Sequence, residues 1–249
     1  METSADNADR MTLKETIRLL EAYRNPAKAK LLQGFFKTDK GEYGEGDVFW
    51  GVMVPQTREV AKQAAQLELS DIETLLCSPV HEQRLLSLLI LVDQYQFAIK
   101  RRDAHAEKNI VEFYLAHSRN INNWDLVDLT APRILGTSLL GKAKAERKVL
   151  YRLAASDNLW EKRIAIIATL AFIKNSEFED TLKISEIFLH EKHDLMHKAV
   201  GWMLREIGKK NQVAEEAFLK KYHKIMPRTM LRYAIERFTG EKRRFYMKR

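Results

Sequence analysis

"DNLWEKRIAIIA", residues 157–168, opens with a polar pair that can cap a helix and closes on an apolar run at helical spacing. Three other segments line up with it on their expected helix starts: "SPVHEQRLLSLL" from Ser78, "NNWDLVDLTAPR" from Asn122 and "KHDLMHKAVGWM" from Lys192. The starts lie 44, 35 and 35 residues apart. Periods of this size are typical of two-helix repeats of the HEAT or armadillo type, which stack because one pair cannot bury its own apolar face. The expected fold is therefore all-α, a HEAT-like helical-repeat superhelical solenoid.

The surrounding chain agrees. "LKETIRLLEAY" (13–23), "QRLLSLLILVDQY" (83–95) and "KRIAIIATLAFI" (162–173) carry the same periodicity. No Asn-Gly or Asp-Gly hairpin turn is present, and Pro55, Pro79, Pro132 and Pro227 stand where helices begin or break. The exception is "KTDKGEYGEGD" (37–47), a polar glycine-rich loop without the Gly-Lys-Ser/Thr ending of a nucleotide-binding P-loop. Residues 1–11 read as a flexible N-terminus, 12–238 as a single repeat domain, and 239–249 as a basic tail with an unstructured end.

Composition narrows the function. The longest apolar run, "LLSLLILV" (85–92), is far short of the roughly 20 residues of a membrane span. Cys77 is the only cysteine, which rules out an intramolecular disulfide and four-cysteine zinc sites; following an apolar pair, it is expected to be buried packing. These features, with no signal-peptide core at the N-terminus, point to the cytoplasm, in a prokaryote near the nucleoid. The formal net charge of +8 is uneven: residues 1–124 carry −2 and residues 125–249 carry +10. An anionic partner for the C-terminal half follows, with nucleic acid the commonest candidate.

Six residues after each aligned start stands a charged side chain: Arg84, Asp128, Arg163, Lys198. Equivalent repeat positions line one surface, so a basic row interrupted by one acid is expected. Trp124 and Asp128, four apart, share a helix face, as do Trp202 and Arg205, three apart. Together these residues can line a cleft with aromatic walls, a basic rim and one carboxylate. His190, His193 and His197 do not form His-Glu-x-x-His, and no metal site is expected there.

"NNWDLVD", "SDNLWEKR" and "HKAVGWMLRE", in this order, resemble the hallmark segments of the AlkD-type DNA alkylation repair glycosylases. "FWGVMVPQTREVAK" (49–62) resembles that family's N-terminal stretch, and the likeness covers roughly residues 12–238. Where the family often has a tyrosine before the Gly-x-x-x-Pro segment, this chain has Phe35 or Phe36. The resemblance implies a monofunctional, cofactor-free monomer that holds alkylated double-stranded DNA and excises cationic N3- and N7-alkylated purines without flipping the lesion into a pocket. No obligate protein partner is implied. Asp128 would be the catalytic carboxylate, and Trp124 and Trp202 would face the lesion nucleotide's sugar and backbone. Arg163 and Arg205 would hold phosphates and balance the charge of Asp128, with Arg84, Lys198 and Phe35 as further DNA contacts. A catalytically silent DNA-binding member and a protein-binding HEAT scaffold remain the alternative readings.

Overall fold

A computed structural model describes residues 11–248, and the expected flexible N-terminus, residues 1–11, lies almost wholly outside them. The described chain is all-α, with one isolated parallel bridge, Val48 to Val80, in place of a sheet. Two compact units divide it, one ending at Leu126 and the other beginning at Val127. No helix among the described residues is long and apolar enough to cross a membrane.

The first unit holds α1 (Leu13–Glu21), α2 (Pro26–Phe35), α3 (Val54–Gln63), α4 (Leu69–Leu76), α5 (His81–Arg101) and α6 (Ala104–Ala116). Asn25 caps α2 and Pro26 starts it, the residues that suit a helix N-terminus. The apolar run 85–92 forms the middle of α5, buried on every side, with α3, α4 and α6 packed against that helix. A helix apolar all round is a core helix, and this one organises its unit. Helix α7 (Trp124–Thr130) spans the division between units.

The second unit continues with a π-helical turn (Pro132–Gly136), α8 (Lys148–Ala154), α9 (Leu159–Ala168), α10 (Leu170–Lys174) and α11 (Glu179–Ile187). Then come α12 (Asp194–Lys210), α13 (Gln212–Tyr222), α14 (Arg228–Ala234) and α15 (Gly240–Met247). The four aligned segments begin α5, α7, α9 and α12, each two or three residues after its aligned start. The repeat register therefore corresponds to real helix starts.

Helix α12 is the centre of this unit, with α9, α13 and α14 against it. Its closest approach to α14 is at Gly201, where a Cβ would lie 2.4 Å from the Met230 carbonyl oxygen and 2.5 Å from Tyr233 Cβ. Gly201→Ala gains about 1 kcal/mol of helix propensity but overpacks backbone that cannot yield, a cost of about 2–3 kcal/mol. The clash wins. Thermal unfolding should shift down by roughly 3–8 °C, and an unchanged midpoint would refute the tight crossing.

Two expectations are corrected here. The basic tail is not unstructured: residues 240–247 form α15, Tyr246 is buried in edge contact with Phe238 and His223, and Arg228 donates to the Met247 carbonyl (3.0 Å). The charge run hides a helix anchored by one aromatic, Tyr246, while Phe245 beside it stays exposed. Cys77 is exposed rather than buried, because it is the C-cap of α4, where the chain turns away from the packed face.

Candidate functional site

Asp128 lies in the second turn of α7 and Arg163 in the second turn of α9. Asn158 caps α9 by accepting from the Trp160 and Glu161 amides (2.9 and 3.1 Å), and Trp160 is buried core. Arg163 Nε donates to Asp128 Oδ1 at 2.9 Å and Nη2 to Oδ2 at 2.8 Å, a parallel fork onto both oxygens. Its remaining arm, Nη1, donates to the Leu195 carbonyl of α12 at 2.6 Å. The Arg163 side chain is 5% exposed and Asp128 16%. A guanidinium fork of this kind fixes the carboxylate plane as well as supplying its counter-charge.

On α12, Trp202 is half-buried and its indole N–H donates to Glu206 (3.0 Å). Arg205 pairs with Glu236 of the 3-10 turn after α14. Lys198 pairs with Asp194 at 2.7 Å, the i,i+4 spacing of one helix face. Both are partly exposed.

In the first unit, Trp124 is half-buried and packs on two phenylalanines, parallel to Phe36 (ring centroids 5.2 Å apart) and edge-on to Phe35 (5.8 Å). Phe35 is 63% exposed and Phe36 6%. Of the two candidates for the family's tyrosine position, Phe35 is thus the one open to solvent. Both lead into the glycine-rich loop, and just beyond it Glu82 accepts from the amides of Trp50 (3.0 Å), Gly51 (2.7 Å) and Val52 (3.2 Å). Successive amides turned to one carboxylate make an anion nest. Gly51 has φ +80°, and a Cβ there would lie 2.1 Å from the Asn25 carbonyl oxygen, so only glycine fits.

Arg84 departs from the expected basic row. It is buried, 2.6 Å from Asp47, and donates to the Ser78 carbonyl (2.9 Å). The glycine-rich loop brings in Asp47, and the pair turns Arg84 inward; it is withdrawn from the DNA-contact set. Arg163 also spends its donors inside the protein, on Asp128 and Leu195. Among the described residues, no group of three His, Cys, Asp or Glu side chains could hold a metal. His193 instead caps α12, and His197 lies 2.6 Å from the Glu191 carbonyl.

One cluster was missed altogether. His81 Nε2 lies 2.9 Å from Asp125 and Nδ1 3.4 Å from Asp47, which also accepts from Asn123 (3.3 Å). Burial pushes the His81 ring down, but the charge of Asp125 and hydrogen bonds to both carboxylates overcome it and raise the ring to about 9. Hydrogen bonds from His81, with Arg84 nearby, outweigh burial at Asp47 and hold its carboxyl below the usual range.

An all-α repeat scaffold carrying a carboxylate clamped by arginine narrows the class of protein. Residues 16–238 match the family described as "DNA alkylation repair enzyme", and the chain belongs to that family. Among solved structures, a predicted DNA alkylation repair enzyme from Enterococcus faecalis superposes with a TM-score of 0.65 at 17% identity. The likeness covers 87% of this chain and 97% of that one. It shows a shared fold. No curated protein sequence matches the chain.

Proposed function

We propose that the protein is a DNA glycosylase that hydrolyses the N-glycosidic bond of cationic N3- and N7-alkylated purines in duplex DNA. The observation that carries this reading is the two-pronged Asp128–Arg163 pair, on the segments that resemble the AlkD-type glycosylases, in a chain of the DNA alkylation repair family. A cationic purine departs as a neutral base, so the leaving group needs little protonation. The barrier is the positive charge that grows on the deoxyribose. Asp128 stabilises that charge and orients the attacking water.

An indole face attracts a developing cation by about 0.5–2 kcal/mol, and this is the role proposed for Trp124 and for Trp202. Phe35, exposed beside Trp124, packs on sugar or backbone in place of a tyrosine hydroxyl. Arg205 and Lys198 contact phosphates; among their present partners, Glu236 and Asp194 are more than half exposed. Arg163 acts through Asp128. The protein works as a monomer without metal or organic cofactor.

The deciding experiment is release of N3-methyladenine and N7-methylguanine from methylated duplex DNA under single-turnover conditions. Release above the spontaneous rate supports the glycosylase reading. Binding without release would make the chain a DNA-binding member of the family, and absence of salt-dependent DNA binding would favour a protein-binding scaffold. Arg205→Ala and Lys198→Ala should weaken binding to modified and unmodified duplexes alike, each lowering the salt slope by about one. A slope unchanged in both would remove the phosphate assignment.

A further inference from the structure

Trp124 lies at the edge of a cluster of rings inside the first unit. Its indole lies parallel to Phe36 (5.2 Å, 17°), and Phe36 belongs to a triangle of rings with Phe49 (5.1 Å, 19°) and the imidazole of His81 (4.9 Å, 38°), which also stacks on Phe49 (4.6 Å, 21°). Had the third ring of the triangle been another phenylalanine, the cluster would be ordinary apolar packing. Instead it contains an imidazole that is 3% exposed and has a carboxylate at each nitrogen, Asp125 at 2.9 Å and Asp47 at 3.4 Å. Only imidazolium can donate from both nitrogens.

The charges around it balance. Asp47 comes from the loop, Asp125 from α7 and Arg84 from the same helix as His81, so two cations face two anions. Backbone bonds hold the parts together: Val48 donates to the Pro79 carbonyl (3.0 Å) and His81 donates to the Val48 carbonyl (2.9 Å). That bridge sets Asp47 against the edge of the imidazole and Phe49 against its face. A buried ionic cluster is commonly no more stable than apolar residues of the same volume. Its distinctive effect is to restrict geometry, and Asp125 is the chain neighbour of Trp124.

We propose that His81 is a positioning residue for Trp124, holding the indole from two sides, through the stacked rings and through the Asp125 ion pair at the start of α7. The inference rests on the reading that Trp124 faces the damaged nucleotide. The sign of its pH dependence follows from a ring raised from 6.5 to about 9. The charged cluster contributes fully below the unfolded value and is lost as pH rises through about 9. Above that, one carboxylate loses its donor and the indole loses its fixed place.

The test uses full-length protein labelled with 5-fluorotryptophan, which gives a fluorine signal for each of the four tryptophans. Trp124→Phe identifies the signal of Trp124. Raising the pH of the unaltered protein from about 7 to about 10.5 should move the Trp124 signal with the midpoint of the His81 ring carbons. Trp160 and Trp202, in the other unit, should hold their positions. At pH near 7, His81→Gln should displace the same signal and slow single-turnover base release about tenfold or more, with DNA affinity within about twofold. A Trp124 signal that ignores both the titration of His81 and its substitution overturns the proposal. If His81→Gln fails to fold, the titration of the unaltered protein decides alone. If the unaltered protein releases no base, the glycosylase reading falls, and the fluorine titration still decides the coupling.

Discussion

Asp128→Asn should slow single-turnover release of N3-methyladenine and N7-methylguanine by about a hundredfold to a thousandfold, while affinity for undamaged duplex stays within about twofold. Removing one preorganised group that stabilises transition-state charge typically costs about 2.7–4 kcal/mol of barrier, which sets this range. Asparagine keeps the shape and loses the charge. The same substitution leaves Arg163, only 5% exposed, without its counter-ion. Breaking a fully buried pair costs about 3–5 kcal/mol. Here Asp128 is partly open to water and the asparagine carbonyl still accepts one arm of the fork, so about 1–2 kcal/mol is expected. Thermal melts fix the temperature at which the variant is fully folded, and release is measured there. A variant that releases base at the unaltered rate would remove Asp128 from the chemistry.

Arg163→Ala is the second large effect, and its pattern separates two roles. As a phosphate contact, Arg163 would lower affinity for any duplex and reduce the salt slope by about one when removed. As the partner of Asp128, it would leave affinity within about threefold and lower release about a hundredfold, the usual consequence of a catalytic group misplaced by about 1 Å. The geometry favours the second. Its fork is on Asp128, its third arm is on the Leu195 carbonyl, and the side chain is nearly closed to solvent. Arg163→Lys should restore little, because an ammonium cannot present two parallel donors to one carboxylate. Equal loss of affinity for modified and unmodified DNA, with release per bound complex unchanged, would return Arg163 to the phosphates.

The Asp128–Arg163 pair was half legible in the sequence. Both residues stand six positions after an aligned helix start, and the starts are 35 residues apart, so the register brought them to the same level of successive repeats. What periodicity could not tell was that a guanidinium with a carboxylate in reach would turn inward. Arg84 makes the same point: it shares the register, but its partner Asp47 comes from a loop with no period at all. The His81 cluster was illegible for that reason, since two of its acids arrive from stretches 34 and 44 residues away and only the Val48–Val80 bridge brings the nearer one in. Trp124 was recognised by its spacing from Asp128, whereas its stacking on Phe36 joins positions 88 residues apart that share no period.

Gly208 has no side chain because the carboxyl of Glu215 occupies that space; a Cβ there would meet it at 1.8 Å. Burial, helped by the charge of Glu216, raises Glu215 from 4.5 to about 8. The carboxyl is thus protonated in the folded protein at neutral pH and ionised in the unfolded chain, while His81 is charged in the folded protein and mostly neutral in the unfolded chain. Both shifts have the same direction in protons. Folding at pH 7 therefore takes up roughly one proton at each site from the medium, and the folded protein is more basic than its sequence alone would make it. For a chain that must meet a polyanion, collapse itself shifts the charge toward the partner.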